Sequence, residues 1–447
     1  MVFLCVSFVL VGIHIFNNYM DSGTILGEYP LYDFKLIGQI KAVGLDRGFY
    51  TEYDIDVLEL ERNKEKIIIN ERVKLQVTNQ SLVSMDLEPS DYLTLGNVSL
   101  IEDFDIGNLE GYKLYLMGKG HKAILRVHAK DIIEIDKSKT PNILKTSYKT
   151  RNYIENFFDR TLPVNESGIL KSIMFGNQGY IDKEILNLFS ISGTAHIIAV
   201  SGLHVGVLVL IIHYVLKFFC MDKKRILIST MILLLFYSAI ANFPVSIIRA
   251  VCMYYLYVFA YFIERRYDAI NGLMFIAFIL LLYNPLNLFS ISFQLSFSAT
   301  LSILLFFTYT KKVLGILPQS LQSLLSVTIA AQLGTIPIMI YHFNQLSLIA
   351  IIANVLIVPI LAPLLFIAGT GVFLNLISTQ LGTMVNIITR WLLAYIHYVV
   401  ETLASISMAS IEIEITNFYY VFIYYLILFG IYFILWLRVN PTILKRE

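Results

Sequence analysis

The sequence predicts an α-helical polytopic membrane protein of about ten transmembrane helices, interrupted near its amino end by a soluble all-β domain. Three observations carry this. Of the 447 residues, 57% are hydrophobic and 15% charged, with a mean hydropathy of +0.68, whereas soluble domains run near 45–50% and about 25%. From Val313 to Thr389 there is no Asp, Glu, Lys or Arg, yet a soluble helix needs a solvated polar face. Residues 27–140 differ: charges are dense and apolar residues alternate with polar ones, the period of half-buried strands. A simple soluble enzyme is excluded.

Residues 1–19 contain VFLCVSFVLVGIHIF, with neither the basic start nor the small-x-small cleavage site of a signal peptide. They read as an uncleaved anchor, slightly short of the roughly 20 residues of a full span. In 27–140 the segments DFKLIGQIKAV, YTEYDIDVLELE, KIIINERVKLQV, DYLTLGNVSLIED and KAILRVHAKDIIEI each alternate. Five short strands in this length predict an OB-like barrel, tethered at both ends by hydrophobic sequence. Residues 141–185 form a connector. Within it TSYKTRNYIENFFDRTL is amphipathic: Tyr148, Ile154, Phe157 and Phe158 share a face, flanked by Lys149, Arg151 and Arg160. Such a helix lies in the membrane interface or packs on the barrel; in the first case its partners are membrane lipids.

The remainder, 186–437, is a polytopic domain with spans predicted at 195–219, 226–241, 245–262, 269–283, 288–307, 321–341, 347–367, 381–400 and 418–437. Cytoplasmic loops carry excess Lys and Arg. MDKKR at 221–225, ERR at 264–266, Lys311 with Lys312, and the tail cations Arg438, Lys445 and Arg446 fall an even number of spans apart. The segment Glu401 to Glu414 holds no basic residue and falls outside. With the anchor this gives ten spans, both termini in the cytoplasm and the β domain external. Arg390 falls inside the 381–400 span. Pro359, Pro363, Gly369 and Gly371 predict that 347–377 is broken or re-entrant.

Polar groups inside spans are costly and face a cavity or one another. The densest run, SISGTAHIIAVSGLHVGV at 190–207, holds Ser192, Thr194, His196, Ser201 and His204, with Gly193, Gly202 and Gly206. It reads either as the polar wall of a channel or active site, or as helix-packing glycines with satisfied hydroxyls. Arg249, just after Pro244, needs acceptors or an anionic ligand if buried, or else snorkels to the interface. Gln294, Ser296 and Ser298 form a polar stripe, and Asn354 precedes Pro359; each lines a pore or caps a broken helix. No enzyme is predicted. A rhomboid-type serine protease has GxSG, but Ala199 stands where the first glycine belongs, and the base would have to be His342 or His397. The histidines at 14, 121, 128, 196, 204, 213, 342 and 397 show no metal-ligand spacing, Cys5, Cys220 and Cys252 are far apart, and no Walker-type loop occurs. No metal or other cofactor is expected, and no ATPase motor.

The β region is acidic from Glu28 to Tyr112. Then ten Lys or Arg follow between Lys113 and Arg151, against Asp131, Glu134 and Asp136. Lys113, Lys119, Lys122, Arg126 and Lys130 are candidate phosphate contacts, with Tyr112, Tyr115 and Tyr148 as stacking platforms. The alternative is a solvated strand face with lipid-headgroup contacts.

HIIAVSGLHVG at 196–206 resembles the signature of the ComEC family of competence proteins. The resemblance continues upstream through LKSIMFGNQGYIDKEILNLFSISGTA and downstream through Arg249–Ala250 in SIIRAVCMYYL. It includes Asn284, Pro285 and Phe293–Phe297 in YNPLNLFSISFQLSFSAT, and Pro337, Phe343, Ser347, Asn354 and Pro359 in QLGTIPIMIYHFNQLSLIAIIANVLIVP. NLEGYKLYLMGKGHKAIL is loosely similar to the end of the family's external domain. The resemblance implies a pore for single-stranded DNA in the cytoplasmic membrane, fed by an external DNA receptor and nuclease and drawn on by a cytoplasmic helicase. It leaves the oligomeric state open. Many members carry a further metallo-β-lactamase-like domain and two or three amino-terminal spans; the lack of an HxHxDH run here implies that another chain degrades the second strand. The runner-up reading is a transporter of another polyanionic or lipid-linked substrate.

Overall fold

The computed structural model describes residues 24–46, 49–62, 65–78, 87–103, 116–138, 142–414, 417 and 419–439. The anchor at 1–19, Lys113, Tyr112, Tyr115, Lys445 and Arg446 lie outside the described residues. The chain divides into two compact units: residues up to Tyr153 with Phe278–Ser290, and Ile154–Ala277 with Ile291 onward.

Among the described residues of the first unit, seven strands replace the five predicted: β1 (Lys35–Asp46), β2 (Tyr50–Arg62), β3 (Glu65–Thr78), β4 (Tyr92–Leu95), β5 (Ser99–Asp103), β6 (His121–His128) and β7 (Ile132–Asp136). The first three segments are strands as predicted. The fourth and fifth each split because turn residues interrupt their alternation. Asn97 takes a left-handed φ of 45° between β4 and β5, and a 3-10 turn over Ala129–Asp131 separates β6 from β7. The strand order is β5-β6-β3-β2-β1-β4-β7. β1, β2 and β3 form an antiparallel meander, β1 also pairs with β4, and β3 pairs in parallel with β6. Alternate residues Leu36, Ile40, Ile55, Val57, Val73, Leu75, Leu93, Leu95, Ala123, Leu125 and Val127 fill one core.

Two polar clamps close this unit. Fully buried Asp91 accepts from the Glu88 and Ser138 N–H groups at 3.0 and 3.1 Å and from Lys145 Nζ at 3.3 Å. Asn284 Nδ2 donates to the Gly118 carbonyl at 2.6 Å while its Oδ1 accepts the Leu286 N–H. The Asn-Pro pair singled out in the sequence is thus a turn cap that grips the β unit.

The second unit is helical: α1 (Ile143–Thr161, entering from the first unit), α2 (Val164–Phe175), α3 (Lys183–Ile191), α4 (Ala195–Ile198), α5 (Gly202–Phe218), α6 (Lys223–Ile240), α7 (Val245–Phe262), α8 (Ala269–Tyr283), α9 (Ile291–Val313), α10 (Gln319–Phe343), α11 (Ala350–Ile377), α12 (Thr379–Ala404) and α13 (Tyr419–Val439). A short ribbon pairs β8 (Gln345–Ser347) with β9 (Ser410–Glu412). Helices α5–α13 lie where the nine later spans were predicted. Five of them, α7, α9, α10, α11 and α13, are long and apolar enough to cross a membrane, and α5 and α8 are shorter apolar helices. The chain is a membrane protein on this ground; the count of ten spans goes beyond it.

Three expectations are corrected. The span drawn from residue 195 is broken: α4 ends at Ile198, Ala199 and Ser201 are extended, and α5 starts at Gly202. The segment 347–377 is not broken; α11 runs through Pro359 and Pro363 as one helix. The amphipathic connector does not turn its apolar face to lipid, because Ile154, Phe157 and Phe158 are buried in a protein core with Leu170, Phe189 and Leu393. Burying such side chains contributes roughly 1.5–3 kcal/mol each, and a protein core offers closer packing than an interface. Arg390, awkward in a span, is exposed on α12. Where Pro337 in α10 has no N–H to give the Leu333 carbonyl, the Tyr424 hydroxyl of α13 donates to that carbonyl instead, at 2.9 Å.

Candidate functional site at the broken helix

The break between α4 and α5 organises the helical unit. Ser201 is the N-cap of α5: its Oγ accepts the Leu203 N–H at 3.3 Å, and its own N–H donates to His204 Nδ1 at 3.1 Å. This reciprocal capping satisfies helix-end donors that otherwise lack partners. Ser201 and His204 are therefore joined, as their spacing suggested, but as a cap. Accepting a backbone N–H commits Nδ1, so a neutral His204 carries its proton on Nε2. That atom is buried without a hydrogen-bond partner, and the side chain is 1% exposed. His196, on α4, is exposed.

Upstream, α3 ends in a Schellman motif: the Gly193 N–H donates to Ser190 O and the Thr194 N–H to Phe189 O. Gly193 has a φ of +72°, and a Cβ there would strike the Ala350 Cβ and come within 2.9 Å of Ser347. Two resemblance segments, SISG and the Ser347 region, thus meet at a residue that must be glycine. Gly206 faces open space, so its predicted packing role is not seen.

On α7, Ser246 Oγ donates to the Val200 carbonyl at 2.6 Å. One turn later lies Arg249. Its guanidinium does not snorkel, for the residue is 6% exposed. Nε donates to Ser296 Oγ at 2.8 Å, Nη1 donates to Thr300 Oγ1 and reaches Met253 Sδ at 3.8 Å, and the group sits 5.8 Å from the Phe297 ring centroid. Nη2 lies 2.6 Å from where a Gly202 Cβ would be. Gly202 is the residue that lets Arg249 approach the start of α5. No carboxylate pairs with Arg249 among the described residues. A guanidinium stays charged, so this is a buried cation held only by neutral acceptors.

The structure thus brings Gly202, Arg249 and Ser296 together. Gln294 accepts instead from His342 Nε2 at 2.9 Å, and Asn354 is buried on α11 with an unpartnered Oδ1; neither joins the Arg249 cluster. Thr300, Met253 and Ser246 escaped sequence reasoning, and Phe297 entered it only as the end of a resemblance segment. Thr300 was the accessible one, since it lies four residues after Ser296 and shares its helix face.

In the β unit, Lys122 and Arg126 stand on one face of β6, with Lys119 and Lys130 in the turns before and after it. Arg126 is exposed and donates to Gln76 at 2.9 Å. Lys122 is half-buried, and burial draws its ammonium below the ordinary value, with Glu71 acting against this. The basic run is partly neutralised: Lys145 and Lys149 pair with Glu88 at 2.8 and 3.2 Å.

Asp54 lies 3.0 Å from Nε2 of buried His121 and near Lys74. Burial raises its carboxyl, but the His121 contact and charge, then Lys74 and Lys119, outweigh this and hold it at about 2. A carboxyl depressed in the fold stabilises fully above its unfolded value near 3.8 and ceases to as pH falls toward 2. Between about pH 4 and 2 the β unit should lose roughly 2 kcal/mol from this residue. Pepsin cleavage within β2 and β3 should therefore rise steeply over that window, and Asp54→Asn should flatten the rise.

These features define a polytopic membrane protein organised by a broken helix and a buried cation with no acidic partner among the described residues. Residues 173–438, more than half of the chain, match the model of the Competence protein family, and the chain belongs to that family. It is 30% identical over 264 residues to ComE operon protein 3 of Bacillus subtilis (59% of this chain, 34% of that protein) and 29% identical over 220 residues to Recombination protein 2 of Haemophilus influenzae (45% and 28%). An uncharacterized Aquifex aeolicus protein is 28% identical over 282 residues (60% and 64%). The matches thus span about a third of the length of the first two relatives. No solved structure matches the chain.

Proposed function

We propose that this chain acts in competence, conducting single-stranded DNA across the cytoplasmic membrane through the helical unit. The observation that carries the reading is Arg249. Within the family-matched region a buried cation has neutral acceptors and, among the described residues, no carboxylate, and such a group suits a polyanion in transit better than it suits the fold alone. Nine helices beyond the anchor serve as spans in this reading, giving ten, with the β unit external and both termini cytoplasmic. The β1–β2–β3 meander, the β1–β4 pair and the parallel β3–β6 pair support an OB-type, partly open barrel that presents Lys119, Lys122, Arg126 and Lys130 to the strand. An external receptor and nuclease deliver the strand and a cytoplasmic helicase pulls it; this chain is not an enzyme. Deleting the gene should abolish uptake of labelled DNA. Normal uptake in the deletion strain returns the chain to the transport of a different polyanion.

Two further results are expected. A reporter fused after Lys312 should be cytoplasmic and one within residues 50–60 external; the opposite placement of 50–60 would have DNA meet the β unit last and defeats the channel. The protein should bind single-stranded DNA with an affinity that falls as salt rises. Neutralising Lys119, Lys122 and Arg126 together should reduce the log–log salt slope by about 2, at roughly 0.7 per phosphate contact. An unchanged slope would mark the face as merely solvated.

A further inference from the structure

The Arg249 guanidinium has five N–H donors. Nε is used by Ser296 and Nη1 by Thr300 and Met253, while Nη2, with two hydrogens, bonds to nothing among the described residues. This free end points at the first residue of α5, where Gly202 leaves the space that a Cβ would fill. The Gly202 N–H also has no partner among the described residues. α5 is a 17-residue helix, so its start carries the positive end of a helix dipole. Three sources of positive potential converge there, all with open donors or no compensating acid.

We propose that Arg249 Nη2 and the amino end of α5 form a binding site for a single phosphodiester group, occupied in turn by successive phosphates of a DNA strand. The inference rests on the transport reading above and adds to it a discrete station within the helical unit. The open Nη2 and the Gly202 N–H can donate to separate oxygens of a tetrahedral oxyanion, and the guanidinium is held for this through Nε and Nη1, a fixed placement that an ammonium on a flexible stem does not reproduce. Gly202 is then a specificity-determining position, because any side chain there occupies the space in front of Nη2. Ser296 and Thr300 are positioning residues that orient the guanidinium from behind.

The test uses the full-length protein in phosphatidylcholine nanodiscs, carrying Lys119→Ala, Lys122→Ala and Arg126→Ala so that the β unit does not respond. The probe is thymidylyl-thymidine, which bears one phosphodiester; the readout is the thermal unfolding midpoint, which rises with a ligand that binds the folded state. The midpoint should rise with dinucleotide concentration. Arg249→Lys should weaken the apparent affinity about tenfold or more, and Arg249→Gln should remove the response. Gly202→Ala should remove it with the arginine still present, which keeps the test alive if Arg249→Gln fails to fold. Gly206→Ala, whose Cβ meets nothing within 4 Å, should retain it. An equal response in Arg249→Gln or Gly202→Ala overturns the site. So does a stronger response to glycerophosphoglycerol, the headgroup of phosphatidylglycerol, since the site would then belong to lipid. DNA uptake in cells separates this from the underlying reading. If a deletion strain takes up DNA normally, the transport reading fails; if uptake is lost on deletion but dinucleotide response ignores Arg249, only the site fails.

Discussion

Replacing Arg249 with alanine should lower DNA uptake by roughly ten- to a hundredfold while the amount of protein in the membrane changes little. A hydrogen bond to a charged group contributes about 1.5–3 kcal/mol, and each 1.4 kcal/mol is about tenfold in rate. The fold should tolerate the change. Ser296 and Thr300 give up only acceptor roles, and the Thr300 hydroxyl still donates to the Ser296 carbonyl at 2.9 Å. No carboxylate is stranded, because none pairs with Arg249 among the described residues. Arg249→Lys should keep part of the uptake, since a point charge still attracts phosphate without the fixed geometry of the guanidinium. Uptake and membrane abundance are measured on the same cells. Normal uptake in Arg249→Ala removes the residue from the path; a loss of abundance that matches the loss of uptake makes it a structural brace.

Gly193→Ala should fail at an earlier step, by preventing the folded protein from accumulating. A non-glycine residue in the left-handed region costs about 1–2 kcal/mol, and the overlap with Ala350 and Ser347 adds roughly 1–3 kcal/mol of overpacking. About 3 kcal/mol is a large share of a typical stability of about 5–15 kcal/mol. Gly206→Ala is the control. Its Cβ meets nothing within 4 Å, and alanine is preferred to glycine in a helix by about 1 kcal/mol, so abundance should hold or rise. Equal abundance of the two variants would show that the contact at Gly193 yields at little cost.

The contrast between those glycines marks what sequence could and could not tell. Both stand in one run and look alike. Only the packed structure distinguishes the helix terminus that presses on Ala350 from the helix face that meets nothing. The same holds for Ser201 and His204, whose spacing put them on one face without showing that together they cap a helix start. The cap exists because the helix breaks at Ala199, and the glycines of HIIAVSGLHVG permit a break without locating it.

Hydropathy and alternation were sufficient to place the helices α5–α13 and the first three strands, since burial in a membrane and half-burial in a sheet each impose a period on the chain. The turns at Asn97 and Ala129–Asp131 were missed because two or three residues weakly perturb that period. The partners of Arg249 were beyond reach for a different reason. Gly202, Arg249, Ser296 and Thr300 are separated by up to 98 residues in the sequence, and a buried guanidinium is satisfied by whichever hydroxyls the packing of α7 on α9 brings to it. Sequence by itself determined that a cation lies near the start of an apolar helix. Tertiary structure decided that it stays inside, that a glycine admits it to the end of α5, and that one of its nitrogens remains open, because those are properties of distances between elements and not of the order of residues along any one of them.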